Sequence, residues 1–374
     1  MTLVSLISYI DRNTLALLAP TILASLALTN EQYGWAVSGF SWAYMLGNLA
    51  WGRWIDRFGL RIAMTAAVAM WTLASASHAL VIGFLTLFLA RTALGFGEGA
   101  TFPGGLRTVV QTLPATMRAR GVAVAFSGGS LGAVITPIVM TPVFKAFGWQ
   151  GAFWFTGAIG LAWLAMWSVL SRREDIRRIP ETPQEEPRAG WRDRRFWAFV
   201  LIYAFGAAPL GFTLYFASPY LRTLGKSQIE IGNLLWIPPL GWELGYFVWG
   251  WLIDKTAHKH GHQKLFAALT ILSIPLAFAP YVKDITALMA LLFFAMFIAS
   301  GFIVGGVSFG TTAFGVRDSA YLAGISSGAW SALVAIVTPM TGRLFDHQLY
   351  AEAFLLAALL PAAGLLAHRA CYSK

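Results

Sequence analysis

GRWIDRFGLR, residues 52–61, interrupts a long apolar stretch, and a shortened copy, GWLIDK, recurs at residues 250–255. Each copy places a glycine four residues before an aspartate that is followed directly by a base: Gly52, Asp56 and Arg57 in the first, Gly250, Asp254 and Lys255 in the second. The copies lie 198 residues apart. Two further matching residues, Pro137 and Pro339, each follow a threonine and a stretch rich in glycine and serine. A common offset of this kind is the mark of an internal repeat, here of two halves of similar length.

What surrounds the repeat decides the solvent. The 374-residue chain is 57% hydrophobic and 12% charged, about half the charge usual in a soluble domain. Apolar runs of about 20 residues, the length needed to cross ~30 Å of hydrocarbon, recur twelve times. The spacing predicts spans near 2–28, 32–52, 62–80, 83–112, 120–142 and 149–170, then near 196–222, 229–252, 264–280, 285–312, 320–342 and 349–368. The expected fold is an all-α polytopic membrane protein of twelve transmembrane helices in two pseudo-symmetric six-helix bundles. The first bundle covers residues 1–170 and the second 196–374. Residues 171–195 join them as a linker holding eight arginines, six acids and three prolines, a composition that builds no packed core.

The net charge of +10 points to topology rather than to nucleic acid. Nineteen of the 27 Lys and Arg residues fall in alternate connections, on one side of the predicted spans, and five on the other. Under the positive-inside rule, both termini and the linker are expected on the cytoplasmic side, and the short loops favour a bacterial inner membrane. The single cysteine, Cys371, excludes a disulfide framework. With no nucleophile–base pair and no metal-ligand spacing, the chain is not expected to be an enzyme, to hold a metal or to need a cofactor. Its expected partners are the bilayer, a small solute and protons, and it is expected to act as a monomer.

A few residues break the apolar pattern inside the spans. In span 4, ARTALGFGEGATFPGG (residues 90–105), Arg91 and Glu98 are seven residues apart on one helix face. At 1.5 Å per residue they stand about 10 Å apart, so each needs a partner elsewhere. The glycines around them allow close helix approach, and Pro103 predicts a bend. In span 1, Asp11 and Arg12 are neighbours and point about 100° apart. A mid-bilayer charge costs ~3 kcal/mol or more, so such residues face a cavity or one another. Arg12 is expected to face the substrate, and Arg91 to pair with Asp11 or Glu98. A purely structural ion-pair network is the alternative.

Arginine is permanently charged and presents a planar fork that fits a carboxylate. A desolvated acid is a natural proton carrier. These residue types therefore point to an organic anion moving with protons. Asp11 and Glu98 are the expected proton-coupling residues, with Glu243, the one acid inside span 8, as a third. Polar residues able to line the route are Tyr9, Tyr44, Asn48, Ser127, Ser130 and Ser327, with Trp330 placed to stack on a sugar ring or simply to pack.

The loop motif on a six-plus-six frame resembles the major facilitator superfamily. Three stretches narrow the resemblance: YIDRNTLALLAP (residues 9–20), ARTALGFGEGATFPGG, and RGVAVAFSGGSLGAVITPIV (residues 120–139). They are similar to helices 1, 4 and 5 of the anion:cation symporter family, which includes bacterial hexuronate and D-galactonate transporters and vesicular glutamate and sialic acid transporters. The resemblance implies alternating access, gating at the two Gly-x-x-x-Asp-base loops, and anion binding and proton coupling at Asp11, Arg12, Arg91 and Glu98. Sugar-acid members often carry glutamine near the position of Gly129, and this chain does not. An anion exchanger or uniporter, for organic anions or phosphates, is the nearest alternative; a membrane sensor built on the same fold is a more distant one.

Overall fold

The computed structural model describes residues 1–177, 190–315 and 319–372, so part of the linker, residues 178–189, lies outside the described residues. Among the described residues the chain is helical throughout, in twelve spans. These are α1 (Thr2–Leu26), α2 (residues 30–58), α3 (residues 60–77), α4 (Phe84–Glu98 continued by Thr101–Thr112), α5 (Arg118–Phe126 continued by residues 128–147) and α6 (residues 149–170). Then follow α7 (Arg194–Gly206 continued by Ala208–Thr223), α8 (Gln228–Leu234 continued by residues 237–260), α9 (residues 262–273, extended by a 3₁₀ segment Ile274–Tyr281), α10 (Ile285–Phe314), α11 (Ser319–Asp346) and α12 (Tyr350–Tyr372). Three hairpins are so tight that helix runs on both sides of a single reversing residue. That residue is Gly59, Gly148 or Gly261, with φ between 68° and 81°, a conformation that costs a residue with a Cβ. Large apolar side chains such as Leu73, Leu85, Phe247 and Ile271 lie on the outer surface, where a bilayer rather than water would meet them.

Seven helical stretches are by length and hydropathy apolar enough to cross a membrane, two of them holding a pair of spans each. The three spans left over are α1, α4 and α8, the ones that carry Asp11 and Arg12, Arg91 and Glu98, and Glu243. In α4 the helix breaks after Glu98 into stretches of 15 and 12 residues, each short of a span's length.

The repeat read from the loops extends to hydrogen bonds. Trp51 Nε1 of α2 donates to the Phe96 carbonyl of α4, and Trp249 Nε1 of α8 donates to the Phe297 carbonyl of α10, both at 2.8 Å. Donors and acceptors are offset by 198 and 201 residues. Each half thus clamps its second helix to its fourth in the same way. The first loop motif is also engaged: Asp56 lies 3.4 Å from Arg107 of α4. Arg57 lies over Phe58 and Lys255 over Trp251, while a side chain added at Gly250 would meet nothing within 4 Å.

Hydrogen bonds between the bundles concentrate at the end opposite the termini. Ser218 Oγ and Gln228 Nε2 both donate to the Leu17 carbonyl, and Thr21 Oγ1 donates to Gln228 Oε1. Tyr33 donates to the Tyr215 carbonyl. Helices pack closely there in a matched pair of crossings, Gly34 of α2 against Thr338 of α11 and Gly232 of α8 against Thr141 of α5. Asp346, the last residue of α11, closes the seam. Its carboxylate accepts the backbone N–H groups of Asn30 and Glu31 at 2.8 and 2.9 Å. With Thr29 accepting from the Gln32 N–H, one bundle supplies part of the other's helix cap. The molecule is therefore held closed at this far end.

A helix cap contributes about 1 kcal/mol, up to ~2. Removing it with Asp346→Ala is expected to favour opening of the far end by roughly tenfold. A cysteine introduced at Thr21 in a Cys371→Ser background should then react several-fold faster with a membrane-impermeant maleimide. Unchanged labelling would mean that Asp346 does not hold the seam.

Candidate functional site

The site is built around α1. Arg12 and Asp11 lie mid-helix and are almost fully buried. Being adjacent they diverge, as expected. Arg12 points toward α4, where its Nη2 lies 3.0 Å from Glu98 Oε2. Ser8, one turn earlier on the same face, donates to the same oxygen at 2.8 Å. Asp11 points instead toward α3, accepting from Ser75 Oγ at 2.8 Å, and that hydroxyl lies 2.7 Å from Thr156 Oγ1 of α6. One acid thus serves the bundle's interior and the other holds the arginine.

This differs from the expectation for Arg91. The residue forms no ion pair within 4.0 Å among the described residues; neither Asp11 nor Glu98 reaches it. Its side chain is wholly buried, with the guanidinium over the Phe40 ring at 4.7 Å. The helix geometry explains the difference. Seven residues separate Arg91 from Glu98 along α4, and Glu98 stands at the level of Arg12. Asp11 is already turned to α3 by Ser75. Among the described residues, Nε, Nη1 and Nη2 of Arg91 lack a hydrogen-bond partner, a costly arrangement in a low-dielectric interior.

Aromatic rings surround the paired arginine. The Arg12 guanidinium lies 4.6 Å from the Tyr9 ring centre, 4.8 Å from Phe40 and 4.8 Å from Tyr44, distances at which a ring face attracts a cation. Tyr9 and Tyr44 are therefore brought beside Arg12. Asn48 stays with its own helix, donating to the Tyr44 carbonyl at 2.9 Å. Ser127 likewise donates to the Val124 carbonyl. Ser130, by contrast, crosses to the other bundle and donates to Glu243. Trp330 uses its indole N–H on the Ala207 carbonyl, 3.1 Å away, and packs against α7. Ser327 is half-buried on the same helix.

Several contributors lack a sequence signal of their own. Ser8 stands at i−4 from Arg12 and Phe40 at i−4 from Tyr44, so helical spacing marks them once Arg12 and Tyr44 are chosen. Ser75 and Thr156 have no comparable local mark. Trp242, whose ring centre is 5.7 Å from that of Tyr9, was visible only as the neighbour of Glu243. No group of three or more His, Cys, Asp or Glu residues able to hold a metal occurs among the described residues.

Comparisons with known proteins give the family. The family model of the Major Facilitator Superfamily matches residues 1–316. The chain belongs to that superfamily. It is 28% identical over 272 residues to the hexuronate transporter of Bacillus subtilis (strain 168), a match covering 69% of this chain and 64% of that protein. It is 26% identical to the galacturonate transporter of Dickeya chrysanthemi, covering 67% and 79%. It is 27% identical to the D-galactonate transporter of Escherichia coli O6:H1, covering 79% and 76%. These relatives agree with the resemblance to the anion:cation symporters, and they are transporters rather than enzymes. Among solved structures, a bacterial homologue of the human lysosomal transporter Spinster, crystallised inward-facing and unoccupied, superposes with a TM-score of 0.76 at 18% identity, covering 99% of this chain and 93% of that one. The D323A mutant of the nucleoside transporter NupG gives 0.75 at 13% identity, covering 100% and 98%. At those identities the likeness shows the fold alone.

The approach of α4 that makes the Arg12–Glu98 contact depends on its glycines. A Cβ at Gly95 would collide with the Phe40 carbonyl of α2, and a backbone atom cannot swing aside. Overpacking of this kind costs about 1–3 kcal/mol. Gly95→Ala is expected to lower the melting temperature in detergent by several degrees, whereas Gly250→Ala, in open space, leaves it unchanged. Equal melting of the two variants would refute this account of the α2–α4 contact.

Proposed function

We propose that this protein is a proton-coupled symporter that imports a small organic anion, a sugar acid or another carboxylate, by alternating access. The observation that carries the proposal is the buried Arg12–Glu98 pair, set mid-membrane, ringed by Tyr9, Phe40 and Tyr44, and covered by the closed far end. An arginine placed there is available to a substrate carboxylate only if its own carboxylate lets go. Protonating Glu98 removes the charge that holds Arg12, and the freed guanidinium then binds the anion. Proton and anion bind better together than apart, which is positive linkage between two sites. Asp11, hydrogen-bonded to Ser75 one residue away from Arg12, is the second proton carrier in this reading.

The sugar-acid transporters among the relatives support the substrate class, and the Arg, Tyr and Ser content of the site suits a hydroxylated acid. The distribution of Lys and Arg supports termini on the cytoplasmic side of a bacterial inner membrane. With that orientation the closed end faces outward, and the conformation described above is inward-facing. The two Gly-x-x-x-Asp-base loops then lie on the cytoplasmic side, where Asp56 pairs with Arg107 within the first bundle. Nothing in the reading requires more than one copy of the chain.

The test is uptake into proteoliposomes under an acid-outside gradient, with labelled glucuronate, galactonate, glutamate, lactate and succinate. One anion or a related set should accumulate, and Arg12→Ala should cut kcat/KM at least ~100-fold, the effect of losing a charged hydrogen bond of about 3 kcal/mol. Glu98→Gln should retain counterflow but lose accumulation. Accumulation by Glu98→Gln equal to wild type would remove Glu98 from proton coupling. Failure of every anion to move by the folded protein would end the organic-anion assignment.

A further inference from the structure

Asp11 stands at one end of a chain of oxygen contacts that crosses the interior of the first bundle. Its Oδ1 is 2.8 Å from Ser75 Oγ of α3, that hydroxyl is 2.7 Å from Thr156 Oγ1 of α6, and Thr156 Oγ1 is 3.0 Å from the Phe153 carbonyl of its own helix. All three side chains are buried. A hydroxyl has one hydrogen to give, whereas an ionised carboxylate and a backbone carbonyl only accept, so the hydrogens along the chain can be counted. With Asp11 ionised, two hydrogens serve three contacts: Ser75 donates to Asp11, Thr156 donates to Ser75, and the Phe153 contact is given up. With Asp11 protonated, three hydrogens serve three contacts. Asp11 then donates to Ser75, Ser75 to Thr156, and Thr156 to the Phe153 carbonyl.

Two further observations agree with the count. The adjacent Arg12 is paired with Glu98, and no cation pairs with Asp11 among the described residues. The second oxygen, Asp11 Oδ2, is buried without a hydrogen-bond partner, which an ionised carboxylate tolerates far less well than a neutral acid. The titratable and charged groups around Asp11 are Arg12 on α1, Arg91 and Glu98 on α4, and His78, one turn beyond Ser75 on α3, with Tyr33 of α2 and Tyr215 of α7 on the Arg91 side. Helix α6 and the middle of α5 carry none.

We propose that Ser75 and Thr156 are positioning residues for the coupling proton: they form a chain of hydroxyls that is complete only while Asp11 carries the proton, and that reverses direction when the proton leaves. This deepens the symport reading and rests on it. The hydroxyls come from α3 and α6, so the proton fastens α1 to both. With the proton in place, α1 and α4 hold Arg12 and Arg91 against Glu98, one positive charge in excess, which attracts an incoming anion.

The experiment compares wild type with Thr156→Val, which removes the hydroxyl and keeps the branched shape, and with Thr156→Ser, which keeps the hydroxyl. Infrared difference spectra of the proteoliposomes are titrated with pH, and the protonated-carboxyl band of Asp11 is identified by its loss in Asp11→Asn. Melting temperatures check the fold. Valine removes two hydrogen bonds from the protonated chain and one from the ionised chain, so the protonated form is the greater loser. The Asp11 band should therefore reach half-height about half a unit to one unit lower in pH, the effect of one net hydrogen bond. The alkaline limb of gradient-driven uptake should move down with it, and Thr156→Ser should restore both. A band that does not move in Thr156→Val, or that never changes with pH, overturns the chain. Equal movement in Thr156→Ser and Thr156→Val overturns it too, because packing rather than the hydroxyl would then be responsible. If the band moves and the uptake limb does not, the role of the chain in coupling is overturned. If the band moves as expected and no anion accumulates under a gradient in wild type, the symport reading falls and the hydroxyl chain stands without it.

Discussion

A permanently charged guanidinium lies midway through a hydrocarbon-thick protein, and its carboxylate partner comes from another helix. The Arg12–Glu98 contact at 3.0 Å constrains much of what surrounds it. To bring the carboxylate within reach, α4 must lie close along α2, which demands the glycines of its middle turns. On its other sides, the ring faces of Tyr9, Phe40 and Tyr44 surround the guanidinium and keep solvent from it. Breaking such a pair by removing one member typically costs about 3–5 kcal/mol, because the remaining charge is stranded. In the symport proposed above, that cost is what a proton on Glu98 and an anion on Arg12 offset together.

The two bundles share their mechanical parts and differ in their chemistry. The tryptophan clamps of α2 and α8, the glycine reversals at Gly59 and Gly261 and the paired crossings at the far end all recur at nearly one offset. The charges do not recur. Glu98 corresponds by that offset to Ala299, and Arg91 to Leu292. One half supplies the electrostatic site and the other closes against it, with Glu243 the exception on the second half.

Much of this was legible before any coordinates. The loop copies at 198 residues and the hydropathy define a twelve-span repeat, because a bilayer imposes length and composition so strictly. The charges of spans 1 and 4 stood out for the same reason. What the sequence could not show was who faces whom. Helical spacing put Arg91 and Glu98 on one face of α4 but is silent about the helix opposite, so the partner of Glu98 proved to be Arg12, and Arg91 has no ion-pair partner among the described residues. Contacts between bundles were less legible still. Asp346 capping Asn30 spans 316 residues, and Ser130 meeting Glu243 spans 113. Such contacts depend on how the bundles are tilted at a given moment, and no local pattern encodes a tilt.

The cancelling charges on α1 and α4 also bear on voltage. A membrane potential does about 2.3 kcal/mol of work per elementary charge per 100 mV. Asp11, Arg12, Arg91 and Glu98 sum to zero in their ionised forms, so rocking the first bundle through the field moves no net charge. A bundle balanced in this way is electrically silent when empty. Among the four, no charge is left over for the field to move, and any charge the machinery itself carries through the field comes from elsewhere, Glu243 of the second bundle included.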